Sequence, residues 1–151
     1  MSLYVQASDY VGISFWIVSV AMFAATVFFL YEGMNVKSSW RVSLLVVGLV
    51  TLIATVHYYY MRELWVNTGE SPIVYRYIDW LLTVPLQMIE FYLILIAAGL
   101  AVSPSVFWRL LFGTLVMLLG GYAGENGWIS APMGFVIGMA GWAFIVFEIF
   151  K

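Results

Sequence analysis

The sequence predicts an all-α integral membrane protein, built as an antiparallel bundle of transmembrane helices. Composition is the first reason, because hydrophobic residues make up 64% of the 151 residues and charged residues only 9%. A soluble domain has roughly 25% charged residues. The second reason is that five apolar runs, each long enough to cross a bilayer as a helix, alternate with short polar breaks. We therefore expect residues 1–151 to form a single transmembrane domain.

The five predicted spans follow from these runs and from the residues that end them. Asp9 stands before the first span as its N-cap, and the run that follows is too long for the core of a signal peptide. A longer polar connection, in which a short hairpin would fit, follows the second span. Pro132 opens the fifth span, where its missing N–H costs little. The predicted spans are residues 10–31, 40–60, 75–99, 105–122 and 132–150.

The third span differs from the others because it carries several polar side chains. As a helix it would be roughly 37 Å long, and an ionised side chain at the bilayer centre costs on the order of 2.5–3.5 kcal/mol. At about 100° per residue, its five polar side chains fall within an arc of about 80°. Two carboxylates at different depths on one face, about 16 Å apart, are typical of stations for a proton. This polar stripe comprises Arg76, Asp79, Thr83, Gln87 and Glu90.

The polar stripe has a second interpretation, a seam packed against neighbouring helices, and spacing alone leaves both open. Taken by itself, His57 would likewise be a structural residue near the end of the second span. On the fifth span, Gly134 and Gly138 form a pair of small residues one turn apart, which predicts close contact with another helix.

Composition also argues against several classes of function. The formal net charge is −2 and no basic cluster is present, which argues against a nucleic-acid partner. Cys is absent, which excludes disulfides and thiolate metal sites, and a single His argues against a zinc site. We therefore predict no metal site.

Basic residues near the span ends predict the orientation of the chain. Most of them fall on one side of a five-span arrangement, which we assign to the cytoplasm. The N-terminus is then outside and the C-terminus cytoplasmic, so Asp79 lies toward the outer half of the membrane and Glu90 toward the inner half. The basic residues on the cytoplasmic side are Lys37, Arg41, Arg109 and Lys151.

Several stretches carry a resemblance to a known family. The third span reads RYIDWLLTVPLQMIEFYLILIAAG and follows HYYYMRELWVNTGESP, while spans four and five contain GTLVMLLGGYAGE and GFVIGMAGW. Over nearly its whole length the chain resembles the blue-absorbing proteorhodopsins, retinal-binding proton pumps among the microbial (type 1) rhodopsins. The resemblance implies a seven-helix fold, of which this sequence matches the first five helices, and multi-pass insertion in the bacterial inner membrane.

The resemblance also implies roles for individual residues. Asp79 matches the counterion and primary proton acceptor of the retinal Schiff base, and Glu90 matches the cytoplasmic proton donor. Thr83 completes the Asp–Thr–Glu set that is typical of outward proton pumps. His57 and Arg76 match residues of the counterion complex.

Other residues match positions around the chromophore, which the family uses as all-trans retinal. Gln87 matches the spectral-tuning position, where Gln is associated with blue absorption. The partners implied are the lipid bilayer, retinal and further copies of the chain, as pentamers or hexamers. The residues that match the retinal pocket are Trp80, Thr83, Met117, Gly121 and Trp142.

The sequence departs from the family in its lysines. Lys37 lies in a loop and Lys151 at the terminus, so the lysine that binds retinal covalently is not in this chain. We therefore expect the sequence to be part of a longer protein, without its helices six and seven. The function implied is light-driven outward proton pumping, by a transporter and not an enzyme. The alternatives are a photosensory or passive proton-conducting rhodopsin and a chromophore-free, five-helix membrane subunit.

Overall fold

The computed structural model describes residues 5–151, and over this range it contains five α-helices and no strand. All five helices are long and apolar enough to cross a membrane, which confirms the predicted all-α fold. They belong to two compact units, a first unit up to Thr83 and a second unit over Val84–Lys151. The helices are α1 (Tyr10–Asn35), α2 (Ser38–Thr68), α3 (Ile73–Ala97), α4 (Pro104–Glu125) and α5 (Ala131–Phe150).

Local sequence signals set several helix starts where the sequence predicts them. Asp9 caps α1, because its Oδ1 accepts a hydrogen bond from the backbone N–H of Gly12 at 2.9 Å. Ser103 caps α4 and accepts a hydrogen bond from the backbone N–H of Ser105 at 3.3 Å. Pro132 lies in the first turn of α5, where a helix needs no N–H from it.

The end of α2 differs from the prediction. The second span is predicted to stop at residue 60, but α2 continues for about two more turns to Thr68, so most of the connection in which a short hairpin would fit is helical. The helix stops at Gly69, whose φ of 71° is left-handed and whose N–H donates to the carbonyl of Trp65 at 2.7 Å. Glycine adopts this conformation without strain, so it ends the helix where the polar residues before it do not.

Arg62, a charged residue in this extra stretch of α2, contacts aromatic side chains of both α1 and α2. The guanidinium carbon of Arg62 lies 4.7 Å from the ring centroids of both Trp16 on α1 and Tyr59 on α2. A cation between two aromatic rings is stabilised without leaving the helix surface. This contact explains why a charged residue does not mark the end of α2.

Hydroxyl groups join α1 and α2 inside the first unit. The Oγ1 of Thr26 donates to the Oγ1 of Thr51 at 2.8 Å, and both side chains are buried. The Oγ of Ser19 donates to the backbone carbonyl of Thr55 at 3.2 Å. Such bonds contribute to helix association in a membrane, where lipid provides no hydrophobic force between helices.

Glycines bring α4 and α5 together in the second unit. A Cβ added at Gly134 would lie 2.6 Å from the Cα of Gly124, and one added at Gly141 would lie 2.6 Å from the backbone N of Met117. At Gly138 it would lie 3.4 Å from the carbonyl oxygen of Met117. The two backbones therefore touch, which confirms the close helix contact predicted from Gly134 and Gly138.

Candidate functional site

A buried carboxylate on α3 is the centre of the candidate site. Asp79 is only 4% exposed, and its Oδ1 lies 3.5 Å from the Nδ1 of His57 on α2. The same Nδ1 lies 3.0 Å from the carbonyl oxygen of Ile53, one turn earlier on α2. A carbonyl oxygen only accepts hydrogen bonds, so the Nδ1 of His57 carries the hydrogen and donates it to Ile53. The interaction between His57 and Asp79 is therefore electrostatic and not a hydrogen bond. The Oδ1 of Asp79 has no hydrogen-bond partner among the described residues.

Thr83 lies one turn beyond Asp79 and is also buried. Its Oγ1 donates to the backbone carbonyl of Asp79 at 2.8 Å and thus bonds to the main chain, not to the carboxylate. Thr83 therefore fixes the helical turn that presents Asp79. Leu81 and Leu82, which lie between these two polar residues in sequence, and Ile78, which precedes Asp79, are exposed. The helix thus turns Asp79 and Thr83 inward and its aliphatic side chains outward.

A cavity of about 240 Å³ lies beside this turn, between α1, α2 and the start of α3. Arg76 and Trp80 both line it, and the guanidinium carbon of Arg76 lies 5.4 Å from the ring centroid of Trp80. The cavity thus combines one guanidinium with mostly aromatic and apolar walls. The other residues that line it are Val11, Phe15, Tyr58, Met61, Trp65, Ser71 and Pro72.

The rest of the polar stripe lies in the second unit and is less enclosed. Glu90 is half-buried, whereas Gln87 is exposed, so Gln87 does not share the inward orientation predicted for the whole stripe. Its place in the predicted arc gives the reason, because Gln87 lies about 80° from Asp79, at the edge of the stripe. Neither side chain makes a hydrogen bond or ion pair to another described residue.

Three residues predicted to contact a chromophore lie where α4 meets α5. The backbone of Met117 touches Gly141, and a Cβ at Gly138 would lie 3.8 Å from the backbone N of Gly121. Trp142 follows Gly141 on α5 and is 50% exposed. The structure thus places the backbones of Met117 and Gly121 against α5 within the second unit, with Trp142 next to that contact in sequence.

Two polar contacts in the structure were not predicted from the sequence. The Nε of Arg109 on α4 lies 3.1 Å from the Oε2 of Glu148 on α5, and the Glu148 side chain is only 5% exposed. At the opposite end of the chain, the indole N–H of Trp65 donates to the Oδ1 of Asp9 at 3.0 Å. Hydrogen bonds from the Gly12 N–H, and then from Trp65, hold the pKa of Asp9 below its ordinary value.

Sequence signals for these contacts are weak but present. Arg109 lies 16 residues before the last residue of α4 and Glu148 lies 17 residues after the first residue of α5, so an antiparallel pairing of the two helices places them side by side. Asp9 and Trp65 meet only because α2 continues past its predicted end. No group of three or more His, Cys, Asp or Glu residues within residues 5–151 is arranged to hold a metal ion.

Comparison with known sequences identifies relatives. A family model described as "Bacteriorhodopsin-like protein" matches residues 9–151. The blue-light absorbing proteorhodopsin of gamma-proteobacterium Hot 75m4 is 55% identical over 143 residues, which cover 95% of this chain and 57% of the relative. The green-light absorbing proteorhodopsin of gamma-proteobacterium EBAC31A08 is 54% identical over 144 residues, with the same two coverages. The chain thus spans little more than half the length of these curated relatives.

Solved structures agree with the sequence relatives. The crystal structure of blue light-absorbing proteorhodopsin from Med12 has a TM-score of 0.85 at 51% identity, covering 94% of this chain and 68% of that one. The crystal structure of Exiguobacterium sibiricum rhodopsin has a TM-score of 0.77 at 30% identity, covering 93% and 63%. These matches confirm the predicted resemblance to the proteorhodopsins, and the chain belongs to the bacteriorhodopsin-like family.

Proposed function

We propose that this chain acts in a light-driven outward proton pump that uses all-trans retinal. The observation that carries the proposal is the buried Asp79 carboxylate, 4% exposed, whose Oδ1 lacks a hydrogen-bond partner among the described residues. A buried, incompletely paired carboxylate is costly unless a cation or a donor faces it. Relatives whose names describe light absorption, at 54–55% identity, support the same proposal.

The buried carboxylate of Asp79, whose Oδ1 accepts no hydrogen bond from the described residues, fits the positive charge that retinal would carry when bound. Retinal, when bound, supplies visible-light absorption and a protonated nitrogen that light makes more acidic. The carboxylate of Asp79 would serve as the counterion of that positive charge. Lys37 is the N-cap residue of α2 and Lys151 the C-cap residue of α5, so neither lies within a membrane-crossing helix. We therefore place the lysine that attaches retinal outside these 151 residues.

Asp79 is proposed as the primary proton acceptor. On accepting a proton at its carboxylate, Asp79 loses its charge and its electrostatic attraction to His57. His57 is a positioning residue, because its Nδ1–H is held by the carbonyl of Ile53 while the ring lies 3.5 Å from the carboxylate. Thr83 keeps the helical turn of Asp79 in place through its bond to the main chain.

Arg76 and Glu90 are proposed to act on opposite sides of Asp79 along the proton path. Arg76 lines the cavity next to the Asp79 turn, where its positive charge would tune the counterion from the extracellular side. Glu90 is proposed as the cytoplasmic proton donor. Its half-buried side chain lacks an ion-pair partner among the described residues, which leaves it available to give up and regain a proton.

The remaining candidates are proposed to shape the chromophore site. Gln87 tunes the absorption wavelength, and Trp80, Met117, Gly121 and Trp142 contact the chromophore. The chain would lie in a bacterial inner membrane with its N-terminus outside, and would assemble as a homo-oligomer, a pentamer or hexamer.

Light-induced acidification of the medium tests the pump. Cells that express the full-length protein with added retinal are expected to acidify an unbuffered medium under illumination, and an uncoupler should abolish the change. Asp79→Asn should abolish acidification, while Lys151→Gln, which removes a charge at the end of α5, should leave it intact. A retinal-dependent visible band without any light-induced change in pH would contradict the pump and would favour a photosensor.

A further inference from the structure

We propose that a groove between the end of α1 and the start of α2 binds an anionic phospholipid. The groove has a volume of about 160 Å³ and lies beside the turn that joins the two helices. Both helices are long and apolar enough to cross a membrane, so their joined ends lie near a membrane surface. The groove is lined by Phe29, Leu30, Gly33, Arg41 and Leu45.

The walls of the groove suit an acyl chain. Leu30 and Leu45 are 45% and 50% exposed, so apolar surface on both helices stays open beside the groove. Gly33 leaves space between them, because a Cβ added there would meet only the Cβ of Leu44, at an ordinary contact distance of 3.7 Å. An apolar concave surface near a membrane surface is filled well by hydrocarbon.

The rim of the groove suits a phosphate. Arg41 lines the groove and is exposed, and Lys37 precedes it by about one turn. Neither basic side chain lies within ion-pair distance of a carboxylate among the described residues. The single acid of this turn, Glu32, is outnumbered by the two bases. An unpaired guanidinium presents a planar fork of N–H donors that matches phosphate oxygens.

Charge favours a lipid over a second copy of the chain as the occupant. A second copy docked here, in a two-fold dimer or in a ring, would bury the charge of Arg41 unless it brought an acid of its own, because no acid lies among the lining residues. An anionic phospholipid offers the two chemistries that the groove needs, a negative headgroup and an apolar tail.

Bound lipid is measured on the purified full-length protein. Nanodiscs of phosphatidylcholine containing a small fraction of phosphatidylglycerol are prepared, and native mass spectrometry counts the phosphatidylglycerol retained after ejection from the nanodisc. Arg41→Gln should weaken this retention about fivefold, the effect expected for one basic residue near an anionic lipid. Gly33→Leu should weaken it as well, because it fills the acyl space without changing any charge.

Two further variants make the test specific. Arg41→Lys should keep part of the retention, since the charge remains but the fork is lost. Lys151→Gln removes one positive charge outside the groove and should retain phosphatidylglycerol like the wild type. The proposal would be overturned if Arg41→Gln retained as much phosphatidylglycerol as the wild type, or if Lys151→Gln lost as much as Arg41→Gln. It would also be overturned if the protein showed no preference for phosphatidylglycerol over phosphatidylcholine. So would a change in oligomer size in Arg41→Gln without a change in bound lipid. None of these measurements uses light, so the result is independent of pumping.

Discussion

Replacing Gly134 by Ala should loosen the contact between α4 and α5. The new Cβ would lie 2.6 Å from the Cα of Gly124, 2.9 Å from the carbonyl oxygen of Gly120 and 3.0 Å from the backbone N of Gly124. Carbon atoms in contact prefer separations of about 3.5–4.0 Å, so α5 must move away by roughly 1 Å. All three neighbours are backbone atoms, and no side chain can rotate to make room.

The magnitude follows from two opposing terms. Overpacking of this kind costs about 1–3 kcal/mol, and the rigid neighbours put Gly134 toward the upper end. Ala in place of Gly within a helix returns about 1 kcal/mol through reduced backbone entropy in the unfolded chain. We therefore expect Gly134→Ala to lower the free energy of unfolding by about 2 kcal/mol.

Gly33→Ala is the matched control for this change. It is the same substitution inside a helix, but its Cβ would meet only Leu44, at 3.7 Å, so it should be neutral or slightly stabilising. Reversible unfolding of the full-length protein in mixed micelles with increasing SDS gives both free energies. A Gly134→Ala variant as stable as Gly33→Ala would refute the close backbone contact on which the reasoning rests.

Three further predictions concern single side chains. Glu90→Gln should leave the visible band in place and slow recovery of the dark state about 100-fold, as expected for loss of a positioned proton donor; flash photolysis with unchanged recovery would remove Glu90 from that role. Gln87→Leu should move the absorption maximum to longer wavelength, and an unmoved maximum would contradict spectral tuning. The pKa of Asp9 is lowered in the folded protein, so its contribution to stability is present above the ordinary value of 3.8 and is lost as the pH falls through the lowered pKa. Asp9→Asn should therefore weaken the acid dependence of thermal unfolding below that pH, and an unchanged acid limb would exclude the contribution.

Hydrophobic runs were enough to predict five helices, because a long apolar segment in a membrane must satisfy its backbone hydrogen bonds internally, which a helix does. Helix ends were harder. The end of α2 was predicted eight residues early because polar residues follow residue 60, yet one of them, Arg62, contacts the rings of Trp16 and Tyr59 on the helices. A cation–π contact between residues far apart in sequence has no local sequence signal.

The inward orientation of part of α3 could also be predicted. The spacing of Asp79 and Thr83 places them on one face, and both are buried. Gln87 lies at the edge of the same arc and is exposed, because a stripe about 80° wide does not give all its members the same neighbours. The pairing of Arg109 with Glu148 depends on how α4 and α5 lie side by side, which spacing within either helix does not contain.

The hydrogen bonds between α1 and α2 have a consequence for alignment. They join Thr26 to Thr51, Ser19 to Thr55 and Asp9 to Trp65. The residue number falls along α1 as that of its partner on α2 rises, which is the pattern of an antiparallel helix pair. Sliding α1 along α2 by a single turn would break all three bonds at once and leave Thr26 and Thr51 only their bonds to carbonyls of their own helices. Three bonds spread over residues 9 to 26 thus fix the offset of α1 against α2, and with it the position of His57 along α1.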